Sequence, residues 1–295
     1  MGSRRLLAPV LVISIVSIST AAPLIKLCDD AAPAVIAAAR MGLATVLLVP
    51  IAGVMRGRRL IAIPRRSVWP IVLGGLFLGA HFYFWISSLK YTSVLSSVVI
   101  VTTNPIFVAL ASRVLFKERV GLGLVYGIAF AIVGGALIAF SDAGGESGTL
   151  HGDLLALCGA VMASCYLLTG RRVRRDVDTF SYILPVYMIA ALLLCAIVLV
   201  CGETVLGLHR STYVYLALLA IVPQLVGHSA FNWALRHLSA TFIAMCILGE
   251  PIGACIFAHF IVDEAITAMQ VVGGSLILAG IFLAARAQTG RSAHA

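Results

Sequence analysis

Apolar residues along this chain fall into long runs separated by short polar stretches. Ten runs are present, at Leu6–Leu27, Ala31–Met55, Val68–Leu89, Tyr91–Ser112, Val120–Phe140, Leu154–Gly170, Thr179–Cys201, Ser211–Leu235, Leu238–Val262 and Ala265–Ala285. A helix needs about 20 apolar residues to cross a bilayer, so the pattern predicts ten transmembrane helices, the 17-residue sixth being the shortest. The polar gaps Arg56–Ser67, Ser141–Asp153 and Arg171–Asp178 are the longest, and none holds a soluble domain. The first run continues to Pro23-Leu24-Ile25 without a small-residue cleavage site before soluble chain, and is read as a retained span rather than a signal peptide.

One stretch occurs twice. Leu89–Val120 returns as Leu235–Ile266 at a constant offset of 146 residues, matching Ser93 to Ser239, Pro105-Ile106 to Pro251-Ile252 and Glu118 to Glu264. The register continues through Gly127 and Gly273, Gly134 and Gly280, and Leu137 and Leu283. Each half, 6–140 and 154–286 around a linker at 141–153, holds five spans, and an odd number of crossings starts the second half on the opposite side. The expected fold is therefore an all-α integral membrane protein with two inverted five-helix repeats around a central cavity, a frequent basis of alternating access.

Composition agrees: 61% of residues are hydrophobic and 11% charged, with a mean hydropathy of +1.07. The net charge of +9 would be compatible with nucleic acid, but its distribution argues otherwise. Assigned alternately to two sides, the loops and tails put 17 Lys and Arg on one side and only Lys26, Lys90 and Arg210 on the other. That bias predicts both termini in the cytoplasm and supports an even number of spans; the expected location is the cell's inner membrane. The seven cysteines form no C-x-x-C pair, and no H-E-x-x-H or G-x-S-x-G motif is present, so neither an enzyme nor a metal or other cofactor is expected.

Two formal charges fall well inside spans, Arg40 and Glu250, where insertion costs at least about 2.5–3.5 kcal/mol unless compensated. Two roles fit: a neutralised pair locking two spans together, or contacts to cargo, Arg40 with a carboxylate and Glu250 with an ammonium. Glu250 and His81 are also the candidates to carry a proton. His81, Trp85 and Ser88 share one helical face, as do Gln224, His228 and Phe231, mixing flat apolar surface with hydrogen-bonding groups suited to small amphipathic molecules. Trp85 taken alone reads as an interfacial belt residue. Ser93, Ser97 and Asn104 form a polar face that serves either packing or a cavity wall. Pro105 follows Asn104 and Pro251 follows Glu250, and each deprives a carbonyl one turn earlier, at Val101 or Ile247, of its donor. With Pro23, Pro185 and Pro223, these are the expected kinks or hinges. Gly127, Gly134, Gly135, Gly273, Gly274 and Gly280, in the proline-free fifth and tenth spans, read as close helix packing.

The segment YTSVLSSVVIVTTNPIFVALASRVLFKERV, the following GIAFAIVGGALI and their second copies resemble the paired modules of the EamA branch of the drug/metabolite transporter superfamily. Ala37-Ala38-Ala39-Arg40 and the stretch His151–Leu157 fit that family too. The resemblance implies a cavity lined by spans 1 to 4 and 6 to 9, spans 5 and 10 at the periphery, and efflux of small metabolites or drugs, with amino-acid exporters a well-represented branch. The second copy departs at His237-Leu238, against Tyr91-Thr92, and at Gly249-Glu250, against Thr103-Asn104. The expected function is export of amino acids and related metabolites by a monomer or homodimer. A nucleotide-sugar or phosphorylated-metabolite carrier, a multidrug efflux protein and a non-transporting scaffold are the alternatives. A polyanionic cargo would call for more embedded cations than Arg40.

Overall fold

The structure, a computed structural model, describes residues 2–56, 63–92, 94–117, 121–141, 150–262 and 266–292, and regular structure among them is entirely helical. In chain order the ten spans are α1 (Gly2–Ser19) with α2 (Ala21–Lys26), α3 (Pro33–Arg56), α4 (Arg65–Ser88), α5 (Val94–Val101) with α6 (Asn104–Leu115), and α7 (Leu122–Ser141). The second half repeats the series as α8 (Leu150–Val173), α9 (Thr179–Val200), α10 (Arg210–Leu219) with a π-helical stretch (Ala220–His228) and α11 (Ser229–Ala234), α12 (Ala240–Ile247) with α13 (Glu250–Val262), and α14 (Ala268–Ser292). Eight of these spans contain 19 to 25 residues apolar enough to cross a membrane, and α7 and α14 contribute the shorter apolar stretches Leu122–Ile138 and Ala268–Ala284.

The sixth span corrects the sequence expectation. It is 24 residues long, starting at Leu150 inside the expected linker and running to Val173. The acidic Asp153 does not end the apolar run; it lies in the first turn, where a helix N-terminus favours negative charge, and its Oδ1 accepts from the Thr92 hydroxyl at 2.9 Å. Residues 142–149, Ser93, Glu118 and Glu264 lie outside the described residues.

Two contacts establish the inversion. A Cβ on Gly127 would meet the Gly280 carbonyl oxygen at 2.7 Å, and one on Gly273 would meet that of Gly134 at 2.5 Å. Residue numbers rise along α7 as their partners fall along α14, so these helices run antiparallel. The offset of 146 exchanges one contact for the other, which puts a two-fold axis between them. Small residues here let the backbones touch, as the glycine pattern predicts.

Matched interruptions open the fourth and ninth spans. The helix breaks at Thr102-Thr103 in one and at Leu248-Gly249 in the other, each just before the proline-led half-helix. Thr102 Oγ1 donates to the Val98 carbonyl at 2.8 Å and Thr103 Oγ1 to that of Ile100 at 2.7 Å, so both hydroxyls are satisfied on carbonyls that also accept a backbone N–H. The first span breaks at Thr20, with Pro23 lacking the N–H that would bond Ser19. By contrast, α9 continues as helix through Pro185. In the eighth span only the π-helical stretch was not anticipated: the span has 25 residues against 24 in α4, and the extra residue is housed in that stretch, which contains Pro223.

Candidate functional site

The breaks put two helix N-termini in mid-membrane, with Asn104 first in α6 and Glu250 first in α13. Each is held by a serine of the other half: Ser164 of α8 donates to the Asn104 carbonyl at 3.2 Å, and Ser19 of α1 to that of Glu250 at 3.3 Å. Both residues face one cavity, also lined by Arg40, His81, Trp85, Tyr166, His228 and Asn232. It offers about 50 Å³ to the centres of water-sized molecules, several times the roughly 10–15 Å³ that one water occupies. The cavity therefore has room for a few waters or a small solute.

Arg40 is fully buried on α3. Its Nε donates to Gln224 Oε1 at 3.0 Å, and its Cζ lies 4.1 Å from the centre of the Phe82 ring. Nη1 and Nη2 are buried without a hydrogen-bond partner, so Arg40 makes no direct hydrogen bond to Glu250 through them. Gln224 does not line the cavity; it fixes the guanidinium from behind.

Trp85 is 3% exposed, which overturns the interfacial-belt reading; it stacks on His81 with the planes 3° apart, and its Nε1 has no partner. The His81 Nδ1 lies 2.9 Å from the Gly159 carbonyl, which can only accept, so Nδ1 carries the proton and Nε2 is the acceptor of the neutral ring. His228 meets Phe82 edge-on, with ring centres 5.4 Å apart. Ser97 lies away from the cavity. Ser88 Oγ donates to the Trp85 carbonyl at 2.7 Å, so Ser97 donates to Ser88 across 2.6 Å and ties α5 to α4.

Sequence reasoning missed Asn232 and Tyr166, which meet through Asn232 Nδ2 and the tyrosine hydroxyl at 2.5 Å. Asn232 follows His228 by one helical turn on the same face, a spacing that would have found it. Arg174 falls in the polar gap Arg171–Asp178, outside the apolar runs, yet it is 1% exposed. Its Nε donates to the Asn232 carbonyl at 2.9 Å and its Nη2 to Thr179 Oγ1 at 2.6 Å, clamping three spans below the cavity. Burial, and then repulsion from Arg236, lowers its pKa to about 10.

Known proteins resemble this chain. A probable terminal-alkyne amino-acid exporter of Streptantibioticus cattleyicolor is 26% identical over 97% of this chain and 95% of its own. The uncharacterized transporter YyaM of Bacillus subtilis is 27% identical over 85% of this chain and 84% of its own. A probable amino-acid metabolite efflux pump of Salmonella typhimurium is 23% identical over 57% of this chain and 59% of its own. A solved crystal structure of a protein with 20% identity has the same fold, at a TM-score of 0.79 over 94% of this chain and 96% of that one. The pattern of the EamA-like transporter family matches at residues 6–140 and again at 150–286, one match for each inverted half. With two such modules closing on one cavity in the membrane, the chain belongs to the EamA-like transporter family and is a multi-pass membrane transporter.

Proposed function

We propose that this transporter exports amino acids and related small metabolites by alternating access, from a plasma-membrane position with both termini cytoplasmic. The observation that carries the reading is the unpartnered Nη1 and Nη2 of Arg40, buried in the wall of a cavity that Glu250 also lines. A guanidinium presents a planar fork of donors matched to a carboxylate, and Glu250 supplies the countercharge for an ammonium. The Oδ1 atoms of Asn104 and Asn232, buried acceptors without partners, suit the remaining ammonium protons, and Trp85 Nε1 is a further donor. One Arg and one Glu among the lining residues suit a zwitterion better than a polyanion. The amino-acid efflux in the names of two relatives agrees with this, and the 17-to-3 charge bias supports the orientation.

Counterflow in proteoliposomes tests the cargo: vesicles preloaded with unlabelled amino acid should accumulate the labelled form. Folded protein that gives no counterflow with any amino acid overturns the reading. Glu250→Gln tests a proton role at the same site, since unchanged rate and unchanged pH dependence would remove it.

A further inference from the structure

The offset of 146 that relates the halves also relates two exposed aspartates, Asp30 between α2 and α3 and Asp176 between α8 and α9. Each reaches across to the opposite half, and each does so on a different face of the membrane. Asp30 Oδ1 accepts from Thr212 Oγ1 at 2.6 Å, and Oδ2 accepts from the His209 backbone N–H at 2.6 Å, with His209 Nδ1 3.3 Å away. Asp176 Oδ2 accepts from Arg66 Nη2 at 3.0 Å. The partners correspond as well: His209 caps α10 and Thr212 lies in its first turn, while Arg66 lies in the first turn of α4, the equivalent helix. Each contact therefore ties the turn after the first span of one half to the start of the third span of the other. Both are made at once in this structure.

We propose that Asp30 and Asp176 are paired latches, each holding one gate of the transport cycle shut, and that their unequal strength decides which face opens first. The reading rests on alternating access. In such a cycle one gate must part while the other stays closed, and contacts that cross the halves at equivalent positions on opposite faces must break alternately. The Asp30 latch has two short hydrogen bonds to a carboxylate, one from the backbone. The Asp176 latch is a single surface ion pair whose side chains are 74% and 49% exposed, a class of contact that water and salt weaken most. The arginine-rich face therefore opens more readily. A depression bounded by Arg174, Trp233 and Arg236 on that face offers about 540 Å³ to the centres of water-sized molecules. The depression beside Asp29 and Lys90 on the opposite face offers about 170 Å³. An exporter built this way rests ready to take cargo from the arginine-rich side.

The test is labelling of a single cysteine at Ala163, which also lines the cavity, as Ala163→Cys in an otherwise cysteine-free protein, by a membrane-impermeant maleimide applied to either face of sealed vesicles. Asp30→Asn should raise the labelling rate from the face bearing Asp30 about tenfold. Asp176→Asn should raise it from the other face by a smaller factor, at most about fivefold. The disulfide pairs Asp30→Cys with Thr212→Cys, and Arg66→Cys with Asp176→Cys, should each stop counterflow and release it on reduction, which guards against misfolding as the cause. Both aspartate variants opening the same face, or neither changing labelling, overturns the proposal, as does counterflow that continues through both disulfides. If labelling responds as expected but no amino acid is carried, the cargo assignment fails and the latches stand.

Discussion

A guanidinium whose Nη1 and Nη2 have no partner is a cost to the empty protein, because the hydration given up on burial is not replaced. Arg40→Gln removes that cost, so the melting temperature should hold or rise while stabilisation by added amino acids disappears. A thermal-unfolding series with and without ligand checks both halves of the expectation; a lower melting temperature with the ligand shift intact would contradict it. At Asp30, the Thr212 hydroxyl first and the His209 N–H second hold the carboxyl below its ordinary 3.8. With the latched value depressed, the latch is at full strength above the ordinary value and is lost only as pH falls through the latched one. Asp29, Asp30 and His209 lie with their polar atoms within 4.8 Å of one another, so His209 faces both carboxylates. Acidifying that face from about pH 7 to about pH 5 should leave cysteine labelling from it no faster. Arg40 and Glu250 were legible in the sequence because formal charges are rare within apolar runs. Gln224, Ser97 and Trp85 were legible only as polar or aromatic positions on a face. What a neutral side chain touches depends on which spans meet, and that is decided by packing between residues as far apart as the 184 positions separating Arg40 from Gln224.

Among the helices, the paired breaks were foreseeable from Pro105 and Pro251, since a proline removes the same hydrogen bond wherever it sits. The uninterrupted course of α9 through Pro185 shows that proline alone does not divide a span in two. The fourth and ninth spans break just ahead of the proline, at Thr102-Thr103 and at Leu248-Gly249. The π-helical stretch left no trace in hydropathy, because one additional apolar residue lengthens a run without altering its character. At the seam of α7 and α14 the constraint is steric. Gly134→Val would drive a side chain into the Gly273 backbone and should destabilise by about 1–3 kcal/mol, at the upper end because a backbone cannot step aside as a side chain does. Gly42→Ala in α3, where an added Cβ meets nothing within 4 Å, should be neutral or stabilising by up to about 1 kcal/mol. Chemical unfolding of the two variants in the same detergent makes the comparison.

For the whole molecule, ten spans and their inversion were readable from run lengths, loop charges and the 146-residue offset, because crossing a bilayer imposes length and charge rules that act locally. The contacts that tie the two halves together at Asp30 and Asp176 were not, since that of Asp30 with Thr212 joins residues 182 positions apart. The seam of α7 and α14 carries a further implication. Its Gly127–Gly280 and Gly134–Gly273 contacts exchange under the two-fold operation, so it is an isologous contact of the kind that two separate copies of one chain make with each other. Nothing in such a contact requires a peptide bond between the partners. Fragments 1–141 and 150–295, made as separate polypeptides in one cell, should find each other in the bilayer and be recovered together by a tag on either.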